Sequence, residues 1–163
     1  MKKVYLDTSA FVKLFFDEEG DEALEKIANL AREKKLQIVI SEWVINEAIW
    51  TVEKKVLKNK IGSEEAFKVV NLIADTVAEG VKEGTIALLK VNEDVIINSR
   101  VIIEELHSDA ADSLHVFLAR TSSCDFFLSA DEDLVLLVRF GNLRIESVYL
   151  YSKIDMDKFF FNI

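Results

Sequence analysis

Short apolar runs alternate with stretches of helical periodicity along the whole chain, and this alternation limits the fold more than any other feature. Residues 4–6, 37–40, 85–91, 124–128 and 143–148 are too short for buried helices and rich in β-branched or aromatic side chains, which predicts strands. Between them, the spacing of apolar residues predicts helices over 10–16, 21–34, 42–59, 63–83, from Asn92 to about Leu106, 110–120 and 134–140. Strands regularly separated by helices imply an α/β protein. We expect a three-layer α/β/α sandwich with a mostly parallel central sheet of about five strands and right-handed crossovers. With 163 residues, half of them apolar, no proline and no Ser/Gly-rich stretch, residues 1–163 are expected to form a single domain.

Charge narrows the range of partners. Twenty basic and 29 acidic residues leave a formal charge of −9, which opposes gripping a polyanion over a broad face. Nucleic-acid contact would need local basic patches or bound cations. Lys13, Arg120 and the cluster Lys54, Lys55, Lys58 and Lys60 could guide a substrate and Trp43 and Trp50 could stack on unpaired bases, but a solvated or packed side chain is the plainer account of each. No apolar window reaches the length of a membrane span, so a soluble, cytoplasmic protein without a membrane partner is expected. The one cysteine, Cys124, reads as a small buried residue in a reducing compartment.

Several acids fall where an open α/β sheet places its ligands. Asp7 ends the first apolar run and is followed by Thr8 and Ser9; Asp131 lies just past the fourth run, after Ser129. On these segments alone, helix capping explains Asp7 and Ser9 as well as catalysis does, and Ser129 with Glu132 fits a capping box that leaves Asp131 and Asp133 as first-turn acids. Asp109 and Asp112 share one side of a first helical turn, where dipole placement also accounts for them. On the helix over 42–59, Trp43, Glu47 and Trp50 cluster opposite the stripe Ile45, Ala48, Ile49, Val52 and Val56, while Glu42 points elsewhere. A solvated Glu beside two packing tryptophans is the plainer account of Glu47. Carboxylates brought together repel unless a cation or protons neutralise them. Oxygen ligands without a nearby His or Cys select Mg²⁺ or Mn²⁺ over zinc, and such ions can activate a water and stabilise the leaving oxygen of a phosphodiester. Metal-assisted hydrolysis of nucleic acid follows as the chemical hypothesis.

Four segments in order, Val4-Tyr5-Leu6-Asp7-Thr8-Ser9, Ser41 through Glu47, Ala111-Asp112-Ser113-Leu114-His115 and Leu128-Ser129-Ala130-Asp131, make the sequence resemble PIN-domain nucleases, especially the single-domain VapC-type toxin ribonucleases. The resemblance implies that Asp7, Glu47, Asp112 and Asp131 form a catalytic, metal-binding quartet for Mg²⁺ or Mn²⁺. It implies that Thr8, Ser9 and Ser129 orient ligands or water, Ser129 standing where threonine is more frequent, with Asp109 and Asp133 as reserve acids. It further implies a metal-dependent endoribonuclease, the toxin of a toxin-antitoxin pair, with RNA as substrate, a small antitoxin over the cleft and a homodimer built partly on the helical hairpin at 42–83. The competing readings are a non-catalytic PIN-fold module that binds RNA or protein, and an RNA-processing nuclease outside any toxin-antitoxin system. A haloacid-dehalogenase-like phosphatase would want a second aspartate where Ser9 stands, and a receiver domain would want paired acids at Asp7. The tail, with Phe159, Phe160 and Phe161 in succession, cannot leave all three rings in water.

Overall fold

A computed structural model describes residues 1–17, 19–141 and 143–163. The polar turn expected over 17–20 includes Glu18, which lies outside the described residues. Among those described, five strands form one sheet: β1 (Lys2–Leu6), β2 (Leu36–Ser41), β3 (Ile86–Leu89), β4 (Phe126–Ser129) and β5 (Glu146–Tyr149). The order is β3-β2-β1-β4-β5, and every pairing is parallel. Val4, Tyr5 and Leu6 are fully buried, as expected for a central strand covered on both faces.

The sheet grows outward from β1 in both directions. β2 and β3 lie on one side, β4 and β5 on the other, so β1 sits at the switch point where α/β sheets open a crevice beyond their carboxyl ends. Register brings the ends together: Leu6 is opposite Leu128, and the backbone N–H of Asp7 donates to Leu128 O at 3.2 Å. Asp7 and Ser129 therefore emerge side by side.

The helices are α1 (Thr8–Phe11), α2 (Asp21–Arg32), α3 (Glu42–Leu57), α4 (Ser63–Glu83), α5 (Glu93–Leu106), α6 (Ala110–Thr121), α7 (Glu132–Phe140) and α8 (Lys153–Phe161). The first helix starts at Thr8 rather than Ala10, because the Asp7 side chain caps it at Ala10 N, and it tightens into a 3-10 turn over Val12–Phe15. The third and fifth strands are shorter than their apolar runs, since pairing ends where the neighbouring strand ends. The tail forms α8, capped by Ser152. Phe159 is fully buried and meets Phe126 edge-on at 4.9 Å, Phe160 is half-buried, and Phe161 stays 88% exposed.

Helices α3 and α4 pack on each other, and α4 lies against β3. The approach of α4 to the sheet depends on Gly80. A Cβ there would fall 2.5 Å from Ile86 Cδ1, 2.7 Å from Cγ1 and 3.1 Å from Cβ, closer than a change of rotamer alone can relieve. Helix propensity alone would favour alanine by ~1 kcal/mol. Gly80→Ala is nevertheless expected to lower the unfolding free energy by ~1–2 kcal/mol in urea titrations. Ile86→Val in that background, which removes Cδ1, is expected to recover part of the loss. A stabilised Gly80→Ala protein would show that α4 moves freely off β3.

Candidate active site

Asp7 anchors the site. It is only 3% exposed, and both carboxylate oxygens are engaged. Ala10 N donates to Oδ1 at 2.8 Å, Ser129 Oγ donates to Oδ2 at 2.7 Å, and Ser9 Oγ lies 2.9 and 2.8 Å from the two oxygens. Ser9 Oγ in turn accepts from Ala130 N at 2.9 Å, which ties the loop after β4 to the start of α1. Burial pushes the Asp7 carboxyl above its usual range; the nearby His115 and these hydrogen bonds oppose that shift without cancelling it.

Glu47, on the second turn of α3, is held from two sides. Its Oε2 accepts from Thr8 Oγ1 at 2.5 Å and lies 2.9 Å from His115 Nε2. Burial raises the Glu47 carboxyl, but the hydrogen bonds from His115 and Thr8, the His115 charge and a hydrogen bond from Trp43 outweigh it and hold the group below the usual range. His115 is itself buried, and its Nδ1 lies 3.0 Å from the hydroxyl of Tyr5. Burial drives the Tyr5 hydroxyl strongly upward, so it stays protonated. Glu42 turns away as its helical phase requires and accepts from Val91 N at 3.0 Å.

Asp112 and Asp131 complete one acidic wall. A cleft of about 540 Å³ is lined by Asp7, Glu47, Asp112 and Asp131, by Thr8, Ser9 and His115, and on its rim by Lys13, Trp50, Lys54 and Tyr151. Burial, followed by repulsion from Asp109 and Asp131, raises Asp112 to about 6. Asp131 caps α7, accepting from Asp133 N at 3.0 Å and Leu134 N at 3.3 Å, so the cap expected from Ser129 belongs to Asp131 instead. Ser129 is drawn inward: as it donates to Asp7 it accepts from Asp131 N at 2.9 Å. Neither reserve acid lines the cleft. Asp109 caps α6 through Ala111 N and Asp112 N and acts on the site through its charge, and Asp133 is an exposed first-turn acid. Arg120 lies away from the acids, paired with Glu105 at 3.1 Å beside a larger cavity of about 690 Å³ that also includes Cys124, Asp125 and Arg144.

Two residues of the network, Tyr5 and His115, were not singled out from the sequence. The expectation of a site without nearby histidine is corrected, because His115 follows Asp112 by three positions on the same helix and reaches Glu47. Both of its nitrogens are committed to Glu47 and Tyr5, so the donors facing the cleft remain carboxylate and hydroxyl oxygens. That donor set, with the repulsion felt by Asp112, fits a hard divalent cation. Among the described residues no three acidic, imidazole or thiolate side chains stand close enough to hold an ion, so the carboxylates would have to draw closer around one.

The PIN domain family model matches residues 4–139. The chain belongs to this family. PIN domains are generally nucleases. Among solved structures, FitAB bound to an IR36 DNA fragment superposes with a TM-score of 0.66 at 12% identity, covering 91% of this chain and 96% of that one. FitAcB from Neisseria gonorrhoeae gives 0.59 at 13% identity, over 91% and 98% of the two chains. Mycobacterium tuberculosis VapC20, described as a toxin that cleaves the sarcin-ricin loop, gives 0.54 at 14% identity, over 82% and 93%. At these identities the likeness is one of fold. No curated protein sequence matches the chain significantly. Among the described residues no helix is long and apolar enough to cross a membrane.

The crowding of acids in this PIN domain has a consequence for pH. Asp112 moves from 3.8 in the unfolded chain to about 6 when folded. A raised carboxyl contributes stability that is complete below the unfolded value and lost as pH rises through the folded one. Metal-free protein is therefore expected to lose stability between about pH 4 and 6 through this group. Asp112→Asn is expected to flatten that slope and to stabilise the metal-free protein at pH 7.5 by ~1 kcal/mol, after allowance for solvent screening at a half-exposed group. Urea titrations in chelator across pH test this, and an unchanged slope would remove Asp112 from the repelling cluster.

Proposed function

We propose that this PIN domain is a divalent-metal-dependent endoribonuclease acting as the toxin of a toxin-antitoxin pair, with residues 1–163 as its single domain. The observation that carries the reading is that carboxylates from four separate places in the chain, Asp7, Glu47, Asp112 and Asp131, line one cleft at the switch point of the sheet. These four would hold Mg²⁺ or Mn²⁺. Once bound, such an ion supplies neutralising charge, activation of water and stabilisation of the leaving oxygen.

The chain's own residues prepare that chemistry. Ser9 and Ser129 fix Asp7, Thr8 and His115 fix Glu47, and the first turn of α7 fixes Asp131. The rim answers the problem of net charge. Lys54 Nζ lies 6.0 Å from the centre of the Trp50 ring and Lys13 Nζ 5.5 Å from that of Tyr151, so two cation-aromatic pairs line the cleft. Cations beside phosphates and rings beneath bases suit an unpaired strand, and they keep the attraction local on a chain of charge −9. The RNA-cleaving description of VapC20, a structural neighbour, supports RNA as the substrate.

The test is cleavage of a labelled single-stranded RNA and a stem-loop RNA with Mg²⁺, with Mn²⁺ and with chelator. Cleavage is expected to need the metal and to fall ~100-fold or more in Asp7→Asn and Asp112→Asn, which remove several kcal/mol of transition-state stabilisation. Trp50→Ala and Lys54→Ala are expected to raise KM about tenfold with kcat little changed, Lys54→Ala also reducing the dependence on salt. Absence of both cleavage and divalent-ion binding would favour a non-catalytic module. An antitoxin is the expected protein partner. We propose a homodimer built partly on the hairpin of α3 and α4, where Phe67 and Val81 are exposed on the same side of α4. Sedimentation is expected to show a dimer that Phe67→Glu converts to monomer.

A further inference from the structure

We propose that His115, pinned by Tyr5, is the positioning residue for Glu47, fixing the orientation in which that carboxylate would meet a divalent cation. The inference rests on the metal-dependent reading of the cleft but concerns residues that the acidic quartet leaves out. A carboxylate only accepts, so His115 Nε2 carries a proton toward Glu47 Oε2 at 2.9 Å. Thr8 Oγ1 donates to the same oxygen. Two protein donors thus hold one oxygen of Glu47 and fix the orientation in which its carboxylate would meet an ion.

The imidazole is not free to change this arrangement. It is only 3% exposed, its Nδ1 is 3.0 Å from the Tyr5 hydroxyl, and its ring meets the Tyr5 ring edge-on at 5.9 Å. Tyr5 is in turn fixed, fully buried in β1, stacked on Phe127 at 5.6 Å, and bonded through its hydroxyl to Ser41 Oγ at 3.2 Å. Ser41 caps α3, the helix that carries Glu47, by accepting from Val44 N at 3.3 Å. The chain of contacts thus leaves α3 at its N-cap, crosses two sheet strands and α6, and returns to α3 at Glu47. It sets the helix and its acid as one unit, as partners behind metal ligands commonly do.

The experiment combines Mn²⁺ calorimetry, RNA cleavage kinetics and the Glu47 χ1 rotamer, read from three-bond NMR couplings in metal-free protein. Wild type is expected to show one Glu47 rotamer. His115→Leu is expected to average that rotamer, weaken Mn²⁺ binding ~10–100-fold and lower kcat with KM for RNA unchanged. His115→Gln, which restores a donor at the Nε2 position, is expected to recover most of each effect. If His115→Leu does not fold, Tyr5→Phe carries the test, with a smaller loss of the same kind. A single Glu47 rotamer with unchanged Mn²⁺ affinity in His115→Leu or Tyr5→Phe overturns the proposal, as does a loss that His115→Gln does not restore. If wild type binds no Mn²⁺ while the Glu47 rotamer still depends on His115, the positioning stands and the metal-dependent reading fails.

Discussion

The buried carboxylate of Asp7 sets the terms for the rest of the molecule. An ionised carboxylate removed from water costs several kcal/mol unless donors surround it, so Asp7 can lie at 3% exposure only where the fold delivers them. One donor, Ala10 N, requires α1 to begin immediately after β1. Another, Ser129 Oγ, requires β4 to lie beside β1 in the register that sets Leu6 against Leu128. The site and the centre of the sheet are thereby the same construction: a slip of β4 by one residue would move Ser129 away from Asp7 and exchange the side chains that β4 packs on its two covered faces.

A second knot secures α3. Ser41 ends β2, caps α3 and touches the Tyr5 hydroxyl, while Thr8, the first residue of α1, donates to Glu47. Two consecutive residues at the end of β1, Asp7 and Thr8, therefore determine where two acids stand, one on their own segment and one on another helix. The buried side-chain polar atoms of the described residues all have hydrogen-bond partners, which such a polar region needs if it is not to destabilise the core around it.

What could be read from the sequence was what local pattern encodes. The strands showed as short apolar runs and Asp7 and Asp131 by their place after strands, while helical phase only separated Glu47 from Glu42 and the family resemblance alone drew it into the site. What could not be read depends on partners distant in the chain. The role of His115 requires the hydroxyl of Tyr5, 110 residues earlier. Ser129 satisfies a capping pattern in sequence, but Asp7, across the strand boundary, takes its hydroxyl and leaves the cap to Asp131. Arg120 looked like a substrate-guiding cation until the fold placed it beside Glu105, away from the acids. The helix of the tail was obscured because its phenylalanines are consecutive, and only Phe159 is fully buried.

The same crowding that gives the cleft its chemistry works against the fold. Asp112 is pushed to about 6 by burial and by its acidic neighbours, so the metal-free protein holds charge there at a cost to stability. A site optimised for stability would replace an acid by an amide and lose the affinity for a cation, the familiar opposition between stability and activity. Here the conflict is confined. Asp7 and Glu47 are surrounded by hydroxyl, amide and imidazole groups, while Asp131 is exposed, where repulsion is screened. Lys13 and Lys54, each near an aromatic ring, line the same cleft as the four carboxylates, so charges of both signs face one space.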